Sequence, residues 1–302
     1  MNYDILGDIH GQYSKLKDVL KRLGYKKSQG VYSQKGHKAI FVGDLIDRGD
    51  GSSKVVQLVK DMVESGNAEA IMGNHEYNWI GYNTIFEKKF LRTHSPKNNK
   101  QVRETIKSYQ GKPELLQEHL NWLSNLPIFI EKKKFRVAHA CWDQSAVDYY
   151  IKQSRKFSKS ELILESYKPR KKLKGVLKTL LAGPELSLPN GVKIEDTDGT
   201  PRVNFRYKWW LNVNNKSCRD LALKYPERVP DIPVKSGVVV KDRKYNKSEK
   251  PLFIGHYSLQ GKPKLMRKNI CCLDWVEKTN RIAVYRFKGE GKLDSENLVF
   301  YH

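Results

Sequence analysis

The sequence predicts an α/β fold, a sheet with flanking helices. Two observations carry this. Over the first 72 of its 302 residues, short apolar runs alternate with helical patterns in a β-α-β-α-β order; that rhythm marks strands joined by crossover helices. All three runs also stop at a glycine followed by Asp or Asn: Gly7-Asp8, Gly43-Asp44 and Gly73-Asn74.

Each element has its own signal. Residues 3–6 form a β-type run ending at Gly7. Ser14 opens a helix with Leu16, Val19, Leu20 and Leu23 on one face, and Gly24 closes it. Residues 38–42 read as a buried strand, 53–65 as a helix stopped near Gly66, and 68–72 as a third strand. Residues 76–126 read as helical. Residues 128–130 and 135–138 resemble a hairpin around Lys132-Lys133-Lys134. A basic helical stretch is expected at 168–178. Strand signals return at 238–240, 252–254, 270–273 and 282–285. The strands at both ends predict one domain spanning 1–302. A helical cap is expected over 81–130 and an insert over 143–250.

Composition narrows the function. The longest apolar runs fall far short of the ~20 residues that span a bilayer, and the first residues lack a signal-peptide pattern, so no membrane partner is expected. Cys141, Cys218, Cys271 and Cys272 show no CxxC spacing. That excludes a disulfide scaffold and points to a reducing, cytoplasmic compartment. The net charge is +23. Residues 1–80 hold 11 basic and 10 acidic residues, so nearly all the excess follows residue 80. Such a surface suits an anionic partner, nucleic acid included, or is simply a lysine-rich solvated face.

Three motifs carry the chemistry: Gly7-Asp8-Ile9-His10-Gly11, Gly43-Asp44-Leu45-Ile46-Asp47-Arg48-Gly49 and Gly73-Asn74-His75-Glu76. Each follows a predicted strand, and open α/β sheets gather ligands beyond the carboxyl ends of their strands. Asp8, His10, Asp44, Asp47, Asn74 and His75 would then converge. His139 and His256 follow two further strands. Carboxylate, imidazole and amide donors without thiolate suit Mn²⁺, Fe or Zn²⁺. His37, His94, His119 and His302 lie outside the motifs and are expected at the surface.

In this order the motifs resemble the calcineurin-like metallophosphoesterases, phosphoprotein phosphatase branch, which includes bacterial serine/threonine phosphatases and symmetrical dinucleoside tetraphosphatases. Ala140-Cys141 after His139, and Tyr257 after Gly255-His256, depart from the protein phosphatase pattern. The aromatic after Gly-His looks more like the tetraphosphatases. The resemblance implies a β-sandwich flanked by helices and two divalent metal ions, Mn²⁺ first among them. Asp8, His10 and Asp44 would hold one ion. Asp44 would bridge to a second, completed by Asn74, His139 and His256. His75 would be the general acid, oriented by Asp47, and Arg48 would clamp phosphate. The implied reaction is phosphate ester hydrolysis by a water activated between two metals, on a phosphomonoester, phosphoprotein or dinucleoside polyphosphate. The competing readings are an RNA-end phosphatase and a non-catalytic nucleic-acid-binding module on the same fold.

The segment 202–210 mixes basic and aromatic residues. Either it clamps phosphate and stacks a base, with Arg206 as a second phosphate-binding residue, or it is an amphipathic strand with Phe205, Tyr207 and Trp209 in the core.

Overall fold

A computed structural model describes residues 1–169, 171–189, 191–195, 201–224, 226–234, 245–275 and 281–301. The strand signal at 238–240 and His302 lie outside the described residues.

The first strand, Asn2–Leu6, pairs in parallel with His37–Phe41, which pairs in parallel with Ala68–Ala70. On its other side it pairs antiparallel with Ile282–Phe287, which continues to Leu298–Tyr301. The C-terminal part thus completes a five-stranded sheet. Three parallel strands, Arg136–Ala138, Leu252–Ile254 and Ile270–Cys272, form a second sheet, edged antiparallel by Phe129–Glu131. The predicted hairpin around Lys132-Lys133-Lys134 is therefore present.

Aromatic rings join the sheets face to face. Phe135 meets Tyr3 at 5.1 Å and Phe287 at 4.8 Å between ring centres, and Phe253 meets Tyr285 at 5.0 Å. Offset and edge contacts of this kind add to the burial they accompany. The architecture is the expected β-sandwich with helices around it. Helix Tyr13–Leu23 buries Leu16, Val19, Leu20 and Leu23, as its spacing requires.

Two helical expectations need correction. The stretch 76–126 is not one helical block. It is three helices, Asn74–Asn83, Pro96–Ser108 and Pro113–Ser124, with a short hairpin at Ile85–Phe86 and Lys89–Phe90. Pro96 and Pro113 each begin a helix, where the missing N–H costs nothing. The basic stretch at 168–178 is also divided. One helix ends at Tyr167 ahead of Pro169, and the next spans Lys172–Ala182; the residue before a proline is steered out of helical geometry. His119 is a third correction. It is fully buried, its ring between the Tyr109 hydroxyl at 2.8 Å and Gln57 Oε1 at 2.9 Å.

Candidate active site

The carboxyl ends of six parallel strands, three from each sheet, meet at one place. Asp8, Asp44 and Asn74 come from the first sheet; His139, His256 and Asp274 come from the second. Backbone bonds lock the loops together. Ile9 and His10 N–H both donate to the Asp44 carbonyl at 3.0 and 2.9 Å, and Gly255 N–H donates to the His139 carbonyl at 2.8 Å.

The local backbone is held in an unusual state. His10, Asp44, Asp47, Arg48 and His256 all have φ between 48° and 71°. Each such residue costs on the order of 1–3 kcal/mol and persists only where surroundings impose it, mostly at functional sites. Two glycines let the loops close up. A Cβ at Gly73 would stand 2.3 Å from Asp44 Oδ1, and one at Gly255 would stand 2.1 Å from Asp8 Oδ1.

Glu76 is the clamp beneath them. Its buried carboxylate accepts N–H groups of Asp44, Leu45 and Gly73, each at 2.8 Å, and of Ile46 at 3.3 Å. Burial, with the Asp44 carboxylate nearby, pushes its pKa up to about 7.

The imidazoles are oriented by carbonyls. His10 Nδ1 donates to Ile46 O at 3.1 Å, and His139 Nδ1 donates to Val42 O at 2.8 Å. A ring whose Nδ1–H is so engaged presents a lone pair at Nε2 when neutral, the form that binds a cation. His10 Nε2 is buried and without a hydrogen-bond partner, and so is His256 Nε2. Burial, reinforced by the Arg48 guanidinium, holds the His10 pKa well below its usual value. Burial and the Arg206 guanidinium do the same to His256.

Acceptors crowd together here. His10 Nε2 faces Asp8 Oδ2 and Asp44 Oδ2, each at 3.9 Å. His139 Nε2 stands 3.3 Å from Asp44 Oδ1 and 3.1 Å from Asn74 Oδ1, and His256 Nδ1 lies 2.6 Å from that same amide oxygen. Asp44 thus turns one oxygen to each group of ligands. Burial, with the Asp274 and Asp44 carboxylates nearby, raises the pKa of Asp8 well above the usual range. For Asp44, burial also acts upward, but His139, His75 and His10 outweigh it and hold the pKa well below. Two backbone donors reach them, His75 N–H to Asp44 Oδ1 at 3.0 Å and His256 N–H to Asp8 Oδ2 at 3.1 Å, and buried acceptors that otherwise face one another are costly. Divalent cations would satisfy them, so this donor set fits metal.

His75 differs. Its Nδ1 lies 2.6 Å from Asp47 Oδ2, and Asp47 Oδ1 in turn accepts the Thr105 hydroxyl at 2.5 Å. Gln101 Nε2 donates to Asp47 Oδ2 at 3.2 Å. Burial alone would lower the His75 pKa, but the Asp44 carboxylate and the Asp47 bond outweigh it and raise it. A buried imidazole whose proton is held more firmly in this way is placed to donate it.

The site opens into a cavity of about 530 Å³. Asp44, Asn74, His75 and His256 line it together with Arg48. Its other walls come from the segments around 185, 194 and 201–206 and from Lys224 and Arg228. Both readings of segment 202–210 hold in part. Phe205, Tyr207 and Trp209 are core residues, while Arg202 and Arg206 line the cavity.

Every expected site residue from Asp8 to His256 therefore faces this cluster or its cavity. Sequence reasoning missed Asp274, whose carboxylate groups with Asp8 and His10. It follows the strand Ile270–Cys272 with no Gly-Asp or Gly-His mark. Thr105 and Gln101 were also missed; they sit on a helix with no motif of its own.

The class this fold and site define is the metallophosphoesterase. Residues 1–225 match the calcineurin-like phosphoesterase family, and the chain belongs to it. It is 31% identical over 163 residues to a bis(5'-nucleosyl)-tetraphosphatase PrpE (asymmetrical) of Oceanobacillus iheyensis, covering 52% of this chain and 63% of that protein. It is 43% identical over 76 residues to the protein of that name in Halalkalibacterium halodurans, covering 25% of this chain and 31% of that one. The chain thus spans less than two thirds of the length of these curated relatives. The fold is also similar to a protein serine/threonine phosphatase from Saccharomyces cerevisiae with similarity to human phosphatase PP5. The match has a TM-score of 0.52 and 14% identity, and covers 99% of this chain and 78% of that one. Among the described residues no helix is long and apolar enough to cross a membrane.

Proposed function

We propose that this protein hydrolyses phosphate esters or anhydrides with two bound divalent ions, and that a dinucleoside polyphosphate is its preferred substrate. The observation that carries the reading is the facing set of buried acceptors around Asp44, with His10 and His256 each holding an unpartnered Nε2. Asp8, His10 and Asp44 would hold one ion. Asp44, Asn74, His139 and His256 would hold the other. When bound, the ions supply charge neutralisation and lower the pKa of a water, the usual contribution of paired metals in phosphoryl chemistry. Which metal fills the sites follows from the donors only as far as Mn²⁺, Fe or Zn²⁺.

The chain's own groups do the rest. Arg48 lines the cavity beside His75, and a guanidinium there can grip two phosphate oxygens at once. His75 holds a proton on the ring and gives it to the departing oxygen from Nε2, the nitrogen turned away from Asp47. Asp47 fixes the ring and favours its cationic form. Thr105 and Gln101 fix Asp47. The names of the curated relatives favour a dinucleoside tetraphosphate over a phosphoprotein.

Diadenosine tetraphosphate and a phosphopeptide, assayed side by side on Mn²⁺-loaded protein, test the reading. The expected result is a kcat/KM at least about tenfold higher for the dinucleotide, equivalent to about 1.4 kcal/mol of transition-state binding. Hydrolysis of neither would contradict it. A second reading, an RNA-end phosphatase, is favoured by the charge excess after residue 80. Salt-sensitive binding of oligonucleotide would support it.

A further inference from the structure

Among the described residues, five cationic side chains line the cavity. Arg48 lines it with the candidate metal ligands. Arg202, Arg206, Lys224 and Arg228 line the same cavity farther along the insert, against two carboxylates, Glu185 and Glu195. The strand pairing explains how the insert presents them. Asn204–Arg206 pairs antiparallel with Glu185–Ser187, Phe205 opposite Leu186 and Arg206 opposite Glu185. Side chains alternate across a strand, so Phe205 enters the core at 4% exposure and Arg206 takes the other face. Arg206 lines the same cavity as His256.

Among the described residues, the rings that follow Arg206 are not available to a base. Tyr207, Trp209 and Trp210 are buried, and Trp209 Nε1 donates to the Tyr257 hydroxyl at 3.1 Å. Base recognition of a sequence-tolerant kind relies on an exposed aromatic face; among the described lining residues the one Phe, Tyr or Trp is Phe205, itself only 4% exposed. A volume of about 530 Å³ lies within the ~300–1,000 Å³ of small-ligand pockets. Yet where such pockets are mostly apolar, this one is lined by guanidinium and ammonium groups. Each further linked phosphate adds negative charge, and guanidinium suits phosphate oxygens in paired contacts.

We propose that the insert forms a phosphate-chain subsite: Arg202, Arg206, Lys224 and Arg228 bind the phosphates beyond the scissile one, in a substrate with three or more linked phosphates, without reading its base. This rests on the hydrolase reading above and adds to it the part of the substrate that is recognised.

The test is calorimetric binding to the Mn²⁺-loaded protein at constant free Mn²⁺. The probes are orthophosphate, a methylene-bridged triphosphate that cannot be cleaved, and the adenosine-bearing form of that bridged chain. The bridged triphosphate should bind about tenfold or more tighter than orthophosphate, as expected for one or more added charge-assisted contacts. Its adenosine form should bind within about threefold of it. Lys224→Gln with Arg228→Gln should collapse the ratio between bridged triphosphate and orthophosphate, and the swap Lys224→Arg with Arg228→Lys should restore most of it. Arg202→Gln gives a second, single-site reading should the paired variant fail to fold. A wild type that binds the chain no more tightly than orthophosphate overturns the proposal. So does a folded charge-removed variant that keeps the full ratio, or an adenosine form bound tenfold tighter than the bare chain. The hydrolase reading fails by a different sign, the absence of turnover on any phosphate ester by the same loaded protein, whatever the chain binding shows.

Discussion

Two buried carboxylates lie four residues apart on the first strand and its exit loop, and their surroundings are opposite. Asp4 is fully buried, and the chain itself satisfies it. His37 Nδ1 lies 2.9 Å away and the Tyr25 hydroxyl donates at 3.2 Å, both to Oδ2, while Arg286 Nε donates at 3.1 Å to Oδ1. Asp8 is equally buried, but the donor the chain brings to it is the His256 N–H, at 3.1 Å from Oδ2. Around Asp8 stand further acceptors, the carboxylates of Asp44 and Asp274. A buried charge whose partners are all within the chain is structural. A buried carboxyl ringed by other acceptors is one that the proposed cation would satisfy. The difference separates a self-contained end of the sheet from the end that carries the candidate site.

The comparison can be broken from either side. The largest effect is expected at Asp44, whose two oxygens face different imidazoles. Asp44→Asn should lower activity beyond the ~10–100-fold typical of groups that merely support a metal ligand, and should lose metal at both sites. Asp8→Asn and Asn74→Ala should lose less. Equal modest losses in all three, in activity and metal content, would remove Asp44 from the shared position.

His75 sharpens the comparison, because its neighbour Asp47 is paired as fully as Asp4 is. His75→Asn should slow hydrolysis of an alkyl phosphate by ~10²–10⁴ and that of p-nitrophenyl phosphate far less, since nitrophenolate leaves without a proton. Its raised pKa also sets a sign: activity that needs the proton falls as pH rises through that pKa. Equal losses on both substrates, with metal content falling too, would place His75 among the ligands instead.

Asp4→Asn tests the other end. It should cost about 1–3 kcal/mol of stability in chemical denaturation, through lost charge-assisted bonds, and leave metal stoichiometry unchanged. Loss of metal from this variant would dissolve the distinction.

The smallest effect concerns His119, another buried polar group satisfied within the chain. Burial lowers its pKa to about 4, whereas the unfolded ring titrates near 6.5. The unfolded state therefore takes up a proton first as pH falls. Stability from this group is present above about 6.5 and is lost progressively down to about 4. His119→Gln should flatten that part of the pH–stability curve, and an unchanged slope would contradict the assignment.

Much of this was legible in the sequence, for a physical reason. Gly7-Asp8, Gly43-Asp44 and Gly255-His256 each put a ligand type beside a glycine, and the site needs that close approach. Asp274 carries no such mark, although its strand ends at the same edge. Thr105 and Gln101 act through Asp47, more than fifty residues away in sequence, so no local pattern could announce them. A helical pattern over 76–126 hides the breaks before Pro96 and Pro113, and the chain turns at 84–95. Lys224 and Arg228 looked like any other part of a lysine-rich surface. Only their shared cavity distinguishes them.

On the proposed function, the acceptors around Asp44 hold two cations. Elemental analysis of protein reconstituted with Mn²⁺ and freed of loosely bound metal tests it most directly. About two ions per chain are expected, and about one or fewer in Asp44→Asn. A stoichiometry near zero, with hydrolysis undiminished in strong chelator, would contradict it.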